Sequence, residues 1–316
     1  MRLWNSPEEV AGPLPHVVLT IGNFDGVHLG HQHVFSALRE RAALAKGTSL
    51  ALTFDPHPVR VLAPERAFKL LTPMPERLAL FEAAGLDALV ILPFTKEVAG
   101  LAPEEFVRRI IAERLQAKEV LVGGNFRFGH HKAGNVDLLW ELGAKLGFQV
   151  QIIGPVQARG EVMSSTRIRN LIAEGHVGPA ARLLGRPFAV RAPIVPGRGI
   201  GSSKTVPTLN MAPYPELLPL RGVYVTETES GALRGPSVTN IGRNPTFGET
   251  ELHLESHLLE APPESWKPGP EMRVSFHHRI REEMKFPTAE ALRERIARDV
   301  AAARRYFRRL QTGVGG

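Results

Sequence analysis

His28 and His31 stand three residues apart in GNFDGVHLGH (22–31), beside Gly22, Gly26 and Gly30. Imidazoles at i and i+3 share one side of a helical turn, where they can donate hydrogen bonds to phosphate oxygens as charge builds at phosphorus. Glycines suit that chemistry, because a residue without Cβ lets the backbone turn sharply and a ligand approach closely. A bare H-x-G-H is equally consistent with a capping loop whose histidines are incidental. A second stretch, MSSTRIRNLI (163–172), places Ser164 or Ser165 where a helix can be capped. Thr166, Arg167 and Arg169 then fall in its first turn, where guanidinium forks suit phosphate.

In PTLN (207–210), Thr208 and Asn210 share one face of a strand and offer a hydroxyl and an amide oxygen to a hard cation such as Mg²⁺. A polar outer face explains the same tetrapeptide. ELHLESHLL (251–259) alternates, so that Glu251, His253, Glu255 and His257 share one face and Leu252, Leu254 and Leu258 the other. A carboxylate on the polar face can act as a general base, and solvent exposure accounts for the pattern as well. GRGIGSSKT (197–205) fails as a phosphate loop, since Ser203 stands before Lys204 where glycine is required.

These residues need elements to hold them. HVVLTIG (16–22) is a β-rich apolar run, and HQHVFSALRERAALAKG after it has helical spacing, with Val34, Leu38 and Leu44 on one side and Gly47 as a stop. SLALTFD, ALVILPF, EVLVGG and FQVQIIG are further strands separated by helical stretches, which predicts a parallel sheet with covered faces. The loop at 22–31 then lies at the carboxyl edge of that sheet, where open parallel sheets bind ligands. From Phe188 onward short runs with turn signals replace the helices and predict an antiparallel barrel or sandwich. A last helix opens at Thr288 and stops by Gly313. LLGRPF marks the boundary, giving domains 1–185 and 186–316.

With 316 residues and 43% hydrophobic content, the chain is long enough for two cores. Cysteine is absent, which excludes disulfides and thiolate metal sites and fits a reducing cytoplasm. No leader pattern opens the chain and no apolar run of about 18 residues occurs, so a soluble protein without membrane partners is expected. The net charge of +7 invites a nucleic-acid reading, but much of it sits in RERIARDVAAARRYFRRL (293–310), which reads as a solvated basic helix. No aromatic-basic interleaving for base stacking accompanies it, so small anionic substrates are expected rather than nucleic acid.

Taken together, IGNFDGVHLGH, LTFDPHP, NFRFG, SSTRIR, LLGRPF, PTLN, GVY, NIGRNPTFG, ESHLL and RIREEMKF resemble, in order and nearly end to end, the bifunctional prokaryotic riboflavin kinase/FMN adenylyltransferase family. The resemblance implies a Rossmann-like nucleotidyltransferase domain followed by a six-stranded antiparallel riboflavin kinase barrel. It implies ATP as co-substrate, Mg²⁺ at both sites, and riboflavin, FMN and FAD as substrate and products. By that likeness His28 and His31, with Gly22, Asn23, Phe24 and Gly30 around them, form the ATP site, and Ser164, Ser165, Thr166, Arg167 and Arg169 bind its phosphates. Asn125 and Phe128 match positions lining the flavin pocket. Thr208 and Asn210 match the Mg²⁺ and ATP motif, and Glu255 matches the base for the riboflavin 5′-hydroxyl. Thr205-Val206 stands where the family commonly has Gly-Phe, and Asn125 where many members have Asp. An adenylyltransferase with a flavin-binding barrel, or a basic RNA-binding protein, are the competing readings.

Overall fold

A computed structural model describes residues 1–66, 68–154, 157–158, 161–196, 208–243, 252–263 and 265–312. The 197–205 loop, Thr205-Val206, Glu251 and the whole NPTFG stretch therefore lie outside the described residues. Internal contacts divide the chain into two units, Met1–Ser165 and Thr166–Gly316.

The first unit comprises β1 (Arg2–Trp4), β2 (Val17–Ile21), α1 (Leu29–Leu44), β3 (Thr48–Asp55), α2 (Pro58–Leu62), α3 (Met74–Ala83) and β4 (Ala88–Pro93). It continues through α4 (Lys96–Ala99), α5 (Pro103–Phe106) with a π-helical extension over Val107–Arg114, β5 (Ala117–Gly123), α6 (Val136–Leu146) and β6 (Gln149–Ile153). A two-residue hairpin, β7 (Gln157–Ala158) and β8 (Glu161–Val162), ends it. The sheet runs β1-β4-β3-β2-β5-β6 with every pair parallel.

Helices on both faces explain why β2 is buried at all five positions. Val17, Leu19 and Ile21 join Val120 and Ile111 on one side, and Val18 joins Leu38 and Phe81 on the other. The inward stripe of α1 is Phe35, Leu38 and Ala42, whereas Leu44, expected on that side, is 79% exposed. Six residues beyond Leu38 a helix has turned about 240° past whole turns, which points Leu44 outward. The expected strands are all present, and β1 is an addition: three residues too short to show a period, held by pairing with β4.

The second unit holds α7 (Ser165–Ala173) apart from its first residue, then α8 (Val177–Leu184), β9 (Phe188–Val195), β10 (Thr208–Met211), β11 (Gly222–Ser230), β12 (Leu233–Arg243), β13 (Leu252–Leu258), β14 (Glu271–Arg281) and α9 (Ala289–Gln311). Its strands close into an antiparallel barrel in the order β10-β13-β12-β11-β14-β9, completed by the β9–β10 pairing. LLGRPF is the seam between α8, which ends on left-handed Gly185, and the first barrel strand.

Apolar side chains such as Phe188, Leu209, Met211, Leu254 and Phe276 fill the barrel together with a ring of hydroxyls. Thr226 bonds Ser237 and Thr239 at 2.7 Å each, Thr228 bonds Ser237 at 2.8 Å and Ser256 at 2.5 Å, and Thr239 closes on Ser256 at 3.0 Å. Each hydroxyl thus has two partners, one to donate to and one to accept from, so five buried polar groups satisfy one another.

The terminal helix starts at Thr288, whose hydroxyl accepts the Ala291 N–H at 3.2 Å. It is not solvated all round: Ala303 is fully buried beside Val223, Val225 and Val238. Asp299 is buried between Arg281 at 2.8 Å and Arg295 at 3.3 Å. Arg293, Arg298, Arg304, Arg305, Arg308 and Arg309 are exposed, as a helix with one docked face requires.

Candidate active sites

In the first unit β2 has β3 on one side and β5 on the other, because the chain works outward through β3 and β4 before crossing back. That reversal is a topological switch point, and open parallel sheets bind ligands at the carboxyl ends of strands there. The segments leaving β2 and β5 flank it: residues 22–31 and residues 124–129.

The loop after β2 is tightly wound, with positive φ at Phe24 (49°), Gly26 (86°) and Val27 (40°). A β-branched residue at positive φ is strained by about 1–3 kcal/mol and persists only where the surroundings over-determine it. The surroundings do so. Both carboxylate oxygens of buried Asp25 accept the Leu71 N–H, at 3.0 and 3.1 Å, and one also accepts the Thr72 N–H at 3.0 Å. The Asp25 carbonyl accepts the Ser165 hydroxyl at 2.8 Å. The Asn23 carbonyl accepts Nη1 of fully buried Arg77 at 2.6 Å and the Thr53 hydroxyl at 3.3 Å. Burial pushes the Arg77 guanidinium below its usual value, while Asp25 and Asp55 work to hold its charge.

His28 caps α1: its Nδ1 accepts the His31 N–H at 3.3 Å. That bond leaves Nε2 as the protonated nitrogen of a neutral ring and therefore as its donor. The two imidazoles stack with centroids 3.6 Å apart and planes 19° apart, so they do share one side of the turn. Phe24 packs edge-on to His31 at 5.3 Å. Glycine gives them room: a Cβ on Gly22 would lie 3.0 Å from the Phe24 ring and one on Gly30 3.0 Å from Cε1 of His28, so either ring would have to give by a few tenths of an ångström.

Across the switch point, Asn125 is exposed in the turn after β5, whereas Phe128 is only 7% exposed and packs on Phe126 and Phe106. Ser165 spends its hydroxyl on the Asp25 carbonyl rather than on its own helix. Ser164 precedes α7, exposed Thr166 opens the second unit, and Arg167 and Arg169 are half-buried along α7.

The second constellation lies on the outer face of the barrel. Alternation along β13 sends Leu254, Ser256 and Leu258 inward and His253, Glu255 and His257 outward, and register with β13 puts Thr208 and Asn210 on that outer side with Leu209 and Met211 inward, although Asn210 is only 7% exposed. Register sets Asn210 and Asn240 on either side of Glu255, and Thr208 beside His257. Oδ1 of Asn210 is 2.9 Å from Nε2 of His253, and the same nitrogen is 3.2 Å from Oε1 of Glu255. Thr208 Oγ1 lies 3.5 Å from Nδ1 of His257, whose imidazole burial holds below the usual range. Among the described residues no group of three His, Asp or Glu side chains could hold a metal ion. A hydroxyl, an amide oxygen and a half-exposed carboxylate on adjacent outward positions nonetheless fit Mg²⁺, which takes few protein oxygens and completes its shell with water and phosphate.

Asp25, Arg77 and His253 are the residues of these sites that sequence reasoning passed over. Asp25 had a signal, an acid inside a glycine-rich turn. Arg77 had a faint one, sharing a helix face with Phe81 at i+4. His253 was visible only as one of several outward polar residues.

Residues 13–167 match the FAD synthetase family and residues 184–307 the riboflavin kinase family. A bifunctional riboflavin kinase/FMN adenylyltransferase of Pseudomonas fluorescens is 37% identical over 294 residues, 91% of this chain and 92% of that protein. The Escherichia coli K12 protein of the same description is 32% identical, covering 93% of this chain and 94% of its own. A solved structure from Streptococcus pneumoniae, described as a macrolide-efflux protein, superposes with TM-score 0.85 at 27% identity, covering 96% of this chain and 98% of that one. Two family matches in sequence order, and relatives that align over nine-tenths of both chains, place this chain in the bifunctional riboflavin kinase/FMN adenylyltransferase family.

Proposed function

We infer that the chain performs both reactions of its family, phosphorylating riboflavin to FMN with ATP and adenylylating FMN to FAD with release of pyrophosphate. The observation that carries this reading is that the stacked His28–His31 pair and the Asn210–Glu255 pair lie in different compact units. The boundary between the two chemistries is proposed at 185/186, with α7 and α8 belonging by contact to the barrel.

In the first unit a phosphate oxygen of FMN attacks the α-phosphorus of ATP and pyrophosphate leaves. Nε2–H of His28, with His31 stacked on it, donates to the oxygens that gain charge there. Gly22, Asn23, Phe24 and Gly30 shape the loop that admits the phosphates. Ser164 and Ser165 bind phosphate, and Asn125 and Phe128 border the flavin; Thr166, Arg167 and Arg169, which follow them in the family's motif, are proposed as phosphate binders on that likeness. In the second unit the riboflavin 5′-hydroxyl attacks the γ-phosphorus, its proton passes to the Glu255 carboxylate, and ADP leaves. Thr208 and Asn210 would hold Mg²⁺, which when bound neutralises charge on the phosphate oxygens.

Purified protein given riboflavin, ATP and Mg²⁺ should yield FMN and then FAD. Formation of FAD only when FMN is supplied would leave the barrel a flavin-binding module. Thr208→Ala and Asn210→Ala should each weaken the kinase in a way that raised Mg²⁺ partly restores, and an unchanged Mg²⁺ dependence would remove the metal from this strand.

A further inference from the structure

We propose that His253 is a positioning residue of the kinase site, its Nε2–H donating to Asn210 while the ring edge lies against the Glu255 carboxylate. The inference rests on Glu255 serving as the base. Both neighbours of Nε2, the amide oxygen at 2.9 Å and the carboxylate oxygen at 3.2 Å, are acceptors, so the proton resides on that nitrogen. The hydrogen bond to Asn210 ties β13 to β10 across 43 residues of sequence, and the same ring edge faces the Glu255 carboxylate.

The tie has consequences on each side. Glu255 has a 46% exposed side chain on a strand face and would otherwise sample several rotamers, whereas His253 is only 16% exposed. A donor edge 3.2 Å from one carboxylate oxygen favours the rotamer that presents the group to the riboflavin hydroxyl from one side, and geometry within a fraction of an ångström governs proton transfer. On the other side, the imidazole sets the Asn210 amide with its oxygen toward β13 and occupies one of two lone pairs, leaving the second for a cation. Neither partner is supplied by neighbours along one strand alone, so the imidazole is the piece that joins the proton acceptor to the amide ligand.

A half-exposed imidazole–carboxylate contact contributes little to stability, so the effect belongs in turnover rather than in folding. In the full-length protein, His253→Leu should lower kcat for riboflavin phosphorylation about 10–100-fold, the usual loss when a partner that orients a reacting group is removed. The riboflavin KM, the thermal unfolding midpoint and FAD formation from FMN should stay as in the parent. His253→Gln, whose amide N–H reaches the same neighbours, should recover most of the rate. Joined to Glu255→Gln, His253→Leu should cost less than it does alone, because part of its effect runs through that carboxylate. If Glu255→Gln abolishes phosphorylation while His253→Leu keeps the parental kcat, the base reading stands and His253 is overturned. Additive losses in the double variant, or no recovery with glutamine, also overturn it. If Glu255→Gln keeps its activity, the base reading falls and this inference falls with it.

Discussion

His28 and His31 lie ring on ring, 3.6 Å between centroids, and the same pair closes the first turn of α1 through a bond from the His31 N–H to Nδ1 of His28 at 3.3 Å. Capping and stacking are one arrangement, which orients the Nε2 donor of His28, and Gly30 makes room for it. A methyl at position 30 would press on Cε1 at 3.0 Å and Nδ1 at 3.1 Å. The ring must then give by a few tenths of an ångström, so Gly30→Ala should lower FAD formation from FMN by about 10-fold or less, short of the ~10²-fold of a 1 Å misplacement, while stability changes little because Ala gains about 1 kcal/mol over Gly in a helix. Riboflavin phosphorylation in the same preparation should be unchanged, and steady-state kinetics with each flavin would check it.

The two chemistries should be separable by mutation. His28→Ala with His31→Ala removes the donors for the α-phosphate and should abolish FAD formation while sparing FMN formation. Glu255→Gln keeps volume and cannot accept a proton, so it should do the reverse with a loss of about 10²–10⁴. Glu251→Gln should be nearly silent. Kinetics of each variant with riboflavin and with FMN decide it; loss of both activities in the histidine variant, with circular dichroism intact, would mean one shared site.

The hydroxyl ring makes a stability prediction that activity does not enter. Ser237→Ala strips one partner from both Thr226 and Thr228, which lie 2.7 and 2.8 Å from its Oγ, inside a barrel closed to water. Stranding buried hydroxyls should cost about 1–3 kcal/mol. Replacing all five members by Val or Ala of matching shape should cost less than the five single changes added together, because no polar group is then left without a partner. Urea unfolding followed by a probe in the barrel would measure both.

Protonation should weaken the barrel from the acid side. Burial lowers the imidazoles of His257 and His277 below 6.5, His277 lying against Tyr306 and Phe307. Below that value the unfolded chain takes up protons that the folded one resists, so stability falls as pH drops and is level above it. Between about pH 7 and pH 5 the unfolding midpoint of the parent should decline more steeply than that of His277→Gln, since an imidazole's ordinary value lies inside that window. Parallel slopes in the two proteins would refute the assignment.

Much of the two sites was legible from local periods alone. A period of 3.6 residues puts positions 28 and 31 on one side of a helical turn, and a period of two sends Thr208 and Asn210, or His253 and Glu255, to one face of a strand. The same periods predicted an antiparallel β half after LLGRPF, where β9 does begin, while internal contacts divide the chain between Ser165 and Thr166. Tertiary structure decided what lies beside what. The texture after Phe188 allowed a sandwich as readily as a barrel, and only the β9–β10 pairing closed it. The backbone N–H groups that Asp25 accepts lie 46 and 47 residues away, and the carbonyl that Arg77 grips is 54 residues back. Five hydroxyls scattered over three strands became a ring only once β11, β12 and β13 were in register. A period is a property of neighbouring residues and can be read from them, whereas register and closure are set by the whole core at once, and the partners of Glu255 are settled there.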